Sequence, residues 1–286
     1  MAATLIDSDE IATFFETKLQ EAYGSIDTRL RFCTIITSSD EQSLRYIDTL
    51  RKESERFGVE HRNFVARDDD HLVNIINGLN ADSKINGMLV LSPHPPHIKI
   101  PSDELVNMIL DSKDVEGLSH NHSGRLQQKF TEESITPPTA SAILETLKHY
   151  NFSYTNNGAS RHAVIINRSP NVGVPLRNML EHSGMSVFSV DKHTSRDAIY
   201  SNISLAELIV TAVPNEGYKI PVDFVREGAA VIAVNSSNIR DLENPSLYEQ
   251  LTERCNLLTN PKSSVGRITR KITLLNLYRL YQKSLE

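Results

Sequence analysis

The residues best suited to chemistry lie in a turn and at the end of a strand predicted to follow it. Four apolar residues, 163–166, precede a polar turn, 167–173, and Asp191 stands eighteen residues after Gly173. A glycine lets backbone approach a pyrophosphate, and an acid at this distance is placed to accept hydrogen bonds from the ribose hydroxyls of a dinucleotide. The spacing predicts a nucleotide-binding turn.

This turn departs from the usual glycine-rich pattern. Asn167 stands where a first glycine is expected, so Gly173 is the glycine available for close approach. On these residues alone, a structural turn followed by a solvated aspartate is an equal alternative.

A predicted βαβ unit positions these residues. The apolar run 163–166 predicts a buried parallel strand, and 174–182 and 186–190 predict a helix and a second strand. Pro175 suits the first turn of a helix, and Gly184 suits a position just after its end.

The rest of the chain alternates in the same way. The pattern predicts strands at 30–37, 59–65 and 85–91 and helices at 41–57 and 71–79. We therefore expect a parallel sheet covered by helices. We predict a polar loop at 112–126, a helix at 140–150, a domain boundary in the polar segment 151–160, a helix at 222–227 and a final amphipathic helix at 268–281.

Composition excludes several classes of protein. The 286 residues carry a formal net charge of −6 with no block of lysine or arginine, which disfavours a nucleic-acid partner. No apolar run is long enough to span a membrane, and the first residues lack the pattern of a secretory signal. Two cysteines, Cys33 and Cys255, give no disulfide framework. We expect a reduced, cytoplasmic, soluble protein.

Histidines at positions 94, 97, 120 and 122 raise the question of a metal site. His120 and His122 are two residues apart, and no third ligand has a clear spacing. We predict no metal.

Several stretches match one family in order. The chain resembles the methylenetetrahydrofolate dehydrogenase/cyclohydrolases, and within them the fungal monofunctional NAD-dependent methylenetetrahydrofolate dehydrogenases. The matching stretches are SLRY (43–46), GMLVLSPHP (87–95), KDVEG (113–117), GRL (124–126), ITP (135–137), NRSPNVGVPL (167–176), SVFSVD (186–191), AVPNEGYKIP (212–221) and REGAAVI (226–232).

The resemblance implies two α/β domains with a cleft between them. The first, residues 1–150 with a returning C-terminal helix at 268–286, would bind folate, and the second, 151–265, would be a Rossmann-type parallel sheet that binds NAD. It also implies a homodimer through the dinucleotide domains, and a role in one-carbon metabolism that supports purine biosynthesis. The implied cofactor contacts are Arg168, Ser169, Val172, Gly173, Asp191, Ala212, Val213 and Pro214.

On the substrate side, the resemblance places Tyr46 at the family's catalytic, substrate-stacking tyrosine, and Ser92 and Pro93 along the same site. Glu116 takes the place of the family's pterin-binding aspartate. A carboxylate there suits the amidine-like edge of a pterin. The alternative for Tyr46 is an ordinary residue of an amphipathic helix, and the alternative for Glu116 is a solvated acid in a loop.

Two departures bear on activity. Bifunctional relatives carry a lysine four residues after the tyrosine and a glutamine before the proline loop, where this chain has Leu50 and Leu91. Hydrolysis of a methenyl group needs polar groups for water activation, whereas hydride transfer depends mostly on binding geometry. Lys52 points about 240° round the helix from Tyr46 and cannot replace the lysine. The expected activity is therefore oxidation of 5,10-methylenetetrahydrofolate to 5,10-methenyltetrahydrofolate with NAD, without cyclohydrolase activity.

Further departures are His122, where many relatives have asparagine, and the altered turn at 260–267. The alternatives are a catalytically weak relative that binds folate or dinucleotide for regulation, and an NADP-dependent bifunctional enzyme, which Leu50 and Asp191 disfavour.

Overall fold

The computed structural model describes residues 2–38, 40–241, 243–263 and 265–286. These residues form two compact units. The three-stranded unit comprises residues 14–138 and 270–286, and the six-stranded unit comprises residues 1–13 and 139–269. The division differs from the expected domain boundaries at residues 1–13, 139–150 and 268–269.

The reason for the first difference is a short strand near the start of the chain. Strand β1 (Thr4–Ile6) pairs in parallel with Leu257–Thr259, a strand of the six-stranded unit. Helix α1 (Ser8–Gly24) follows and contains the boundary between the two units.

The three-stranded unit has a wholly parallel sheet of order β3-β2-β4, as the alternating pattern predicts. Its further elements are β2 (Arg31–Ile36), α2 (Glu41–Arg56), β3 (Glu60–Val65), α3 (Asp69–Ala81), β4 (Gly87–Val90), α4 (Ser102–Met108) and α5 (His120–Gln128).

Apolar residues cover both faces of this sheet, as a parallel sheet requires. On one face Ile35 and Met88 pack with Leu72 of α3. On the other face Phe32 and Leu89 pack in a second cluster that includes Leu50.

The prediction of a polar loop at 112–126 is wrong for the second half of that range. Helix α5 begins there, and the Ser119 hydroxyl caps it by accepting from the His122 N–H. The helix buries only His122 and Leu126, so no apolar stripe reveals it in the sequence.

The six-stranded unit has a parallel sheet of order β1-β11-β10-β9-β7-β8. This sheet confirms the predicted Rossmann-type α/β fold. The last helix, α10 (Gly266–Lys283), begins in this unit and continues into the three-stranded unit. The other elements that follow α1 are α6 (Pro138–His149), β5 (Thr155–Asn156), β6 (Ala159–Ser160), β7 (His162–Ile166), α7 (Gly173–His182), β8 (Ser186–Val190), α8 (Arg196–Leu205), β9 (Leu208–Thr211), β10 (Ala230–Ala233), α9 (Leu247–Arg254) and β11 (Leu257–Thr259).

The helix predicted at 222–227 is reduced to a single 3-10 turn, Val222–Phe224. The Arg254 guanidinium donates hydrogen bonds to the backbone carbonyls of Val222, Asp223 and Val225. These three carbonyls are therefore bound by a side chain from elsewhere in the chain.

The strand order of this unit reverses between β7 and β9. The chain runs from β7 outward to β8 and returns to place β9 on the other side of β7. Ligands of open parallel sheets bind at the carboxyl ends of the strands at such a reversal. The turn 167–173 and Asp191 follow those strand ends.

Two features of the described residues bear on the broad class of the protein. None of its helices is long and apolar enough to cross a membrane. No group of three or more histidine, cysteine, aspartate or glutamate residues, within the described ranges, is arranged to hold a metal ion.

Candidate active site

The turn between β7 and α7 is organised by one side chain, Asn167. Its Oδ1 accepts hydrogen bonds from the Ser169 N–H (2.8 Å), the Ser169 hydroxyl (2.7 Å) and the Gly173 N–H (3.1 Å). Its Nδ2 donates to the Ala212 carbonyl at the end of β9 (2.8 Å). Asn167 therefore closes the turn on itself and ties it to the end of β9, which a glycine could not do.

Gly173 is required by its own backbone neighbours. A Cβ at this position would lie 2.1 Å from the Asn167 carbonyl oxygen, too close for any side chain. The close approach that selects glycine is thus between the end of β7 and the start of α7. Because the Gly173 N–H is donated to Asn167, it is already engaged.

Asp191 follows β8 directly and is partly exposed. Its Oδ1 accepts from the His193 N–H (2.9 Å) and the Thr194 hydroxyl (3.3 Å). Its Oδ2 lies 3.4 Å from Nη1 of Arg168. The His193 N–H, aided by the Arg168 charge and the Thr194 hydroxyl, holds the pKa of Asp191 below its ordinary value, so the carboxylate is ionised at neutral pH.

Arg168 is held across the strand ends by two donors, Nε at 3.0 Å and Nη2 at 2.6 Å from the Ser189 carbonyl. The guanidinium thus lies over the end of β8 beside Asp191. A cation in this position suits a phosphate or a ribose hydroxyl.

A cavity of about 1030 Å³ opens at these strand ends. Of the predicted cofactor residues, Arg168, Ser169, Asp191, Val213 and Pro214 line it. Among the described residues that form its wall, Val172, Gly173 and Ala212 do not appear. Gly173 lines a second depression, which it shares with Arg168.

Sequence reasoning missed part of this wall. Tyr200 of α8 and Tyr218, in the loop after β9, also line the cavity, as do Lys192, His193 and Arg196. The stretch AVPNEGYKIP contains Tyr218, but nothing in the pattern indicates which of its side chains faces a cavity.

In the three-stranded unit, Tyr46 lies in the middle of α2. The Asp40 carboxylate begins this helix by accepting from the Ser43 N–H (2.9 Å). Tyr46 is half-buried and packs against the cluster that contains Leu30 and Phe32. Its ring is therefore held in place by the core of the unit.

Glu116 lies near Tyr46 in the same unit. Burial, and then the charge of Glu116, raises the pKa of the Tyr46 hydroxyl. Val115, the residue before Glu116, belongs to the apolar cluster against which Tyr46 packs, so the structure brings the two predicted substrate residues into one part of the unit.

The loop that carries Glu116 is built around Asp114. The buried Asp114 carboxylate accepts from the backbone N–H groups of Gly117 (2.9 Å) and Ser119 (2.8 Å). A parallel bridge between Asp114 and Met88 aligns this loop with β4. Gly117 has φ +62°, a conformation that favours glycine, and it turns the chain directly after Glu116.

The Glu116 carboxylate makes no hydrogen bond or ion pair with the part of the chain that the structure describes. Burial, and then the charge of Asp114, raises the pKa of Glu116 to about 8. A half-buried carboxyl without a protein partner is a candidate for binding a ligand that donates hydrogen bonds.

Ser92 and Pro93 follow β4 and are both exposed, and the peptide between them is cis. Their neighbour His94 is anchored by a 3.1 Å hydrogen bond between its Nδ1 and the Thr37 hydroxyl. These residues therefore extend the carboxyl end of the three-stranded sheet.

Leu50 and Leu91, the two leucines at positions where the resemblance predicts polar residues in bifunctional relatives, lie in apolar surroundings. Leu50 is fully buried, and Leu91 is half-buried against the same cluster. Lys52 points to solvent and pairs with Asp48 at 2.7 Å. No lysine of α2 therefore accompanies Tyr46.

His122 is buried in α5, where its Nε2 is 3.0 Å from the Asp111 carbonyl. This contact joins α5 to the turn that precedes the Glu116 loop. It gives His122 a structural role in the unit.

Comparison with known proteins covers both units. Residues 6–116 match the catalytic domain of tetrahydrofolate dehydrogenase/cyclohydrolase, and residues 137–285 match the NAD(P)-binding domain of the same proteins. The bifunctional protein FolD of Wolbachia pipientis subsp. Culex pipiens is 30% identical over 250 residues, which cover 85% of this chain and 81% of that protein.

Solved structures agree. FolD methylenetetrahydrofolate dehydrogenase/cyclohydrolase from Campylobacter jejuni has a TM-score of 0.85 at 25% identity, covering 99% of this chain and 100% of that chain. The NAD-dependent 5,10-methylenetetrahydrofolate dehydrogenase from Saccharomyces cerevisiae has a TM-score of 0.84 at 23% identity, covering 100% and 99%. At that identity the second likeness shows the fold alone.

Proposed function

The chain belongs to the tetrahydrofolate dehydrogenase/cyclohydrolase family, and from that membership we propose that it oxidises 5,10-methylenetetrahydrofolate to 5,10-methenyltetrahydrofolate with NAD and has no cyclohydrolase activity. The family makes it an enzyme of folate chemistry. The cofactor, the missing second activity and the closeness to the fungal monofunctional enzymes are our proposals.

The observation that supports NAD is the ionised Asp191 in the wall of the large cavity. Its Oδ2 meets only the long Arg168 contact among the described residues, and so has room to accept from ribose hydroxyls. The same charge would repel the 2′-phosphate of NADP. Nicotinamide, when bound, supplies the hydride acceptor.

The proposed folate site is built from Tyr46 and Glu116, which we assign to the substrate together with the Ser92–Pro93 segment. Tyr46 would stack on a flat ring of the folate, because its ring is fixed by the core and its position is half-buried. Glu116 would accept hydrogen bonds from the pterin edge, since its carboxylate has no described protein partner. Loss of a hydride leaves a resonance-stabilised cation, so these residues need only bind and orient the substrate.

The surroundings of Tyr46 support the absence of cyclohydrolase activity. Hydrolysis needs a water, and groups that move its protons, beside the methenyl carbon. Leu50 is sealed in the core and Leu91 packs against it, so neither position offers a polar group.

One assay tests the proposal. Purified protein is given methylenetetrahydrofolate with NAD or NADP, and the absorbances of reduced cofactor and of methenyltetrahydrofolate are followed separately. We expect reduction of NAD, with methenyltetrahydrofolate accumulating and decaying only at its uncatalysed rate. Faster decay with enzyme present would show a cyclohydrolase, and equal use of NADP would remove the NAD assignment.

The same assay addresses the alternative of a catalytically weak relative. A protein that binds folate or dinucleotide for regulation would bind both ligands without reducing either cofactor.

The homodimer implied by the resemblance is tested by light scattering of the purified chain. A mass near 32.1 kDa would contradict it.

A further inference from the structure

The loop that carries Glu116 is held by a residue of the last helix, Asn276. This side chain projects from α10 and is fully buried. Its Nδ2 donates hydrogen bonds to the backbone carbonyls of Val115 and Thr136, both at 2.9 Å. Its Oδ1 accepts from Nη1 of Arg279, one turn further along the helix, at 3.3 Å. Both donors of the Asn276 amide therefore go to backbone carbonyls.

The contact with Val115 fixes a peptide group, because the Val115 carbonyl and the Glu116 N–H belong to one planar unit. Asn276 holds the carbonyl of this unit, and the Asp114 carboxylate accepts from its N–H at 3.1 Å. The next peptide unit is held as well, since the Gly117 N–H donates to the same carboxylate oxygen at 2.9 Å. Both peptide planes that meet at the Glu116 Cα are thus fixed, and with them the direction of its Cα–Cβ bond.

Helix α10 also packs directly on the residue before Glu116. Val115 and Leu277 are both fully buried and meet at the start of β4. A Cβ on Gly87 would lie 2.4 Å from Val115 Cγ1 and 2.7 Å from Leu277 Cδ1, so glycine leaves room for both side chains. Interiors packed this closely resist displacement, and the backbone at Glu116 is therefore held in one position.

We propose that Asn276 is a positioning residue for the folate site, which aims the Glu116 carboxyl by holding the carbonyl of the peptide before it. The inference rests on the proposed function, in which Glu116 accepts hydrogen bonds from the pterin. The Glu116 side chain is half-buried and makes no hydrogen bond or ion pair with the described residues, so its backbone is what fixes its direction. A binding group acts well only when its support holds it close to the productive geometry.

The test is a double-mutant cycle on the dissociation constant of 5-formyltetrahydrofolate, measured by calorimetry. This stable folate carries the pterin edge, and its binding needs neither cofactor nor hydride transfer. Asn276→Leu removes both donors with little change in volume, so we expect about tenfold weaker binding. In the Glu116→Ala background the same substitution should change the affinity by less than about twofold, because the carboxyl that Asn276 aims is gone. The dissociation constant for NADH should not change.

Asn238→Leu is the matched control. Asn238 is also fully buried, and its Nδ2 donates to the carbonyls of Asn215 (3.4 Å) and Tyr218 (3.2 Å), but it belongs to the six-stranded unit. It should lose comparable stability and leave the 5-formyltetrahydrofolate affinity unchanged. Melting temperatures show whether each variant is folded during the measurement. If Asn276→Leu is not folded, Asn276→Ser, which keeps a hydroxyl donor, replaces it in the cycle with an expected loss of about threefold.

Unchanged folate affinity in the Asn276 variant would overturn the inference. Equal losses in the wild-type and Glu116→Ala backgrounds would also do so, since Asn276 would then act on folate without Glu116. An equal loss in Asn238→Leu would reduce the effect to general destabilisation. A preference for NADP, or an active cyclohydrolase, would refute the proposed function and leave this inference intact, because 5-formyltetrahydrofolate binding depends on neither. The two failures are therefore distinguishable.

Discussion

The Asp191 carboxylate and the Arg168 guanidinium form a pair at the carboxyl end of β8, with 3.4 Å between Oδ2 and Nη1. The contact between the two side chains is long, because Arg168 makes its two shorter hydrogen bonds to the Ser189 carbonyl. Asp191 also accepts from the His193 N–H and so closes the turn after β8. The carboxylate thus has a structural oxygen and a more available one.

Asp191→Asn separates these two roles, because the amide oxygen can still accept from His193 while the charge is gone. Two like unit charges at about 4 Å repel by roughly 4 kcal/mol at an effective dielectric of 20, and solvent reduces this. We expect the ratio of kcat/KM for NAD over NADP to fall at least tenfold. Asp197→Asn, an exposed acid on α8 away from the cavity wall, should leave the ratio unchanged.

Leu50→Lys tests whether the missing lysine alone explains the missing cyclohydrolase. Leu50 is fully buried among Leu30, Phe32 and Val59, so an ammonium there lacks solvent and a partner. We expect the free energy of unfolding to fall by on the order of 3 kcal/mol, with no gain in hydrolysis of methenyltetrahydrofolate. Leu44→Lys, on an exposed part of the same helix, should cost little. A stable Leu50→Lys variant with cyclohydrolase activity would refute this account.

Glu116→Gln removes the proposed pterin ligand with little change in shape. The loss of charge-assisted hydrogen bonds should weaken folate binding by about 1.5–3 kcal/mol. The dissociation constant for NADH should hardly change. Glu104→Gln, at an exposed site in α4, is the control, and equal losses for folate and NADH would indicate a folding defect instead.

The pKa of Glu116 makes folate affinity depend on pH. If the pterin binds the ionised carboxylate, the protein must release a proton on binding whenever the pH is below about 8. Wild-type affinity should rise with pH up to about 8 and then level off, while Glu116→Gln shows no such rise. Calorimetry in buffers of different ionisation enthalpy measures the released proton directly.

The same group affects stability with a defined sign. Its pKa in the folded protein, about 8, lies above the ordinary value of 4.5, so the folded state binds the proton more tightly than the unfolded state. The stabilising contribution is complete below pH 4.5 and is lost as the pH rises to about 8. Compared with Glu116→Gln, the wild type should become less stable across that window.

Gly173→Ala tests the packing of the turn. Its Cβ would lie 2.1 Å from the Asn167 carbonyl oxygen, so β7 and α7 would have to move apart. We expect a loss of about 2 kcal/mol or more in the free energy of unfolding and weaker binding of NADH. Gly24→Ala, where nothing lies within 4 Å of the added carbon, is the matched control.

The regular parts of the fold were predictable because their apolar runs are long and their ends carry clear signals. β7, β8 and α7 agree with expectation to within a residue, since Gly184 and the polar turn mark their limits. α5 was missed because its nine residues bury too few side chains to show a period. The three-residue strand β1 is too short to stand out, and only its pairing with β11 defines it.

The candidate site was predictable to a different degree in each unit. The place of Asp191 after β8 follows from spacing. Spacing also indicates Gly173, but the backbone that it approaches is that of Asn167, and it does not line the cavity. The role of Asn167 as a hydrogen-bond hub depends on three partners that a linear pattern does not reveal. Tyr46 and Glu116 are seventy residues apart in sequence. Their place in one part of the unit is a product of the fold, and so are the places of Tyr200 and Tyr218 in the cavity wall.

The pairing of β1 with β11 has a consequence for how this protein is made. A ribosome synthesises Thr4–Ile6 more than two hundred residues before the partner strand Leu257–Thr259. The other unit likewise waits for residues 270–286, which belong with 14–138. Neither unit can therefore be completed while the chain is still being translated through its middle. β1 must stay unpaired until nearly the whole chain has emerged, whereas β2, β3 and β4 can pair with one another early.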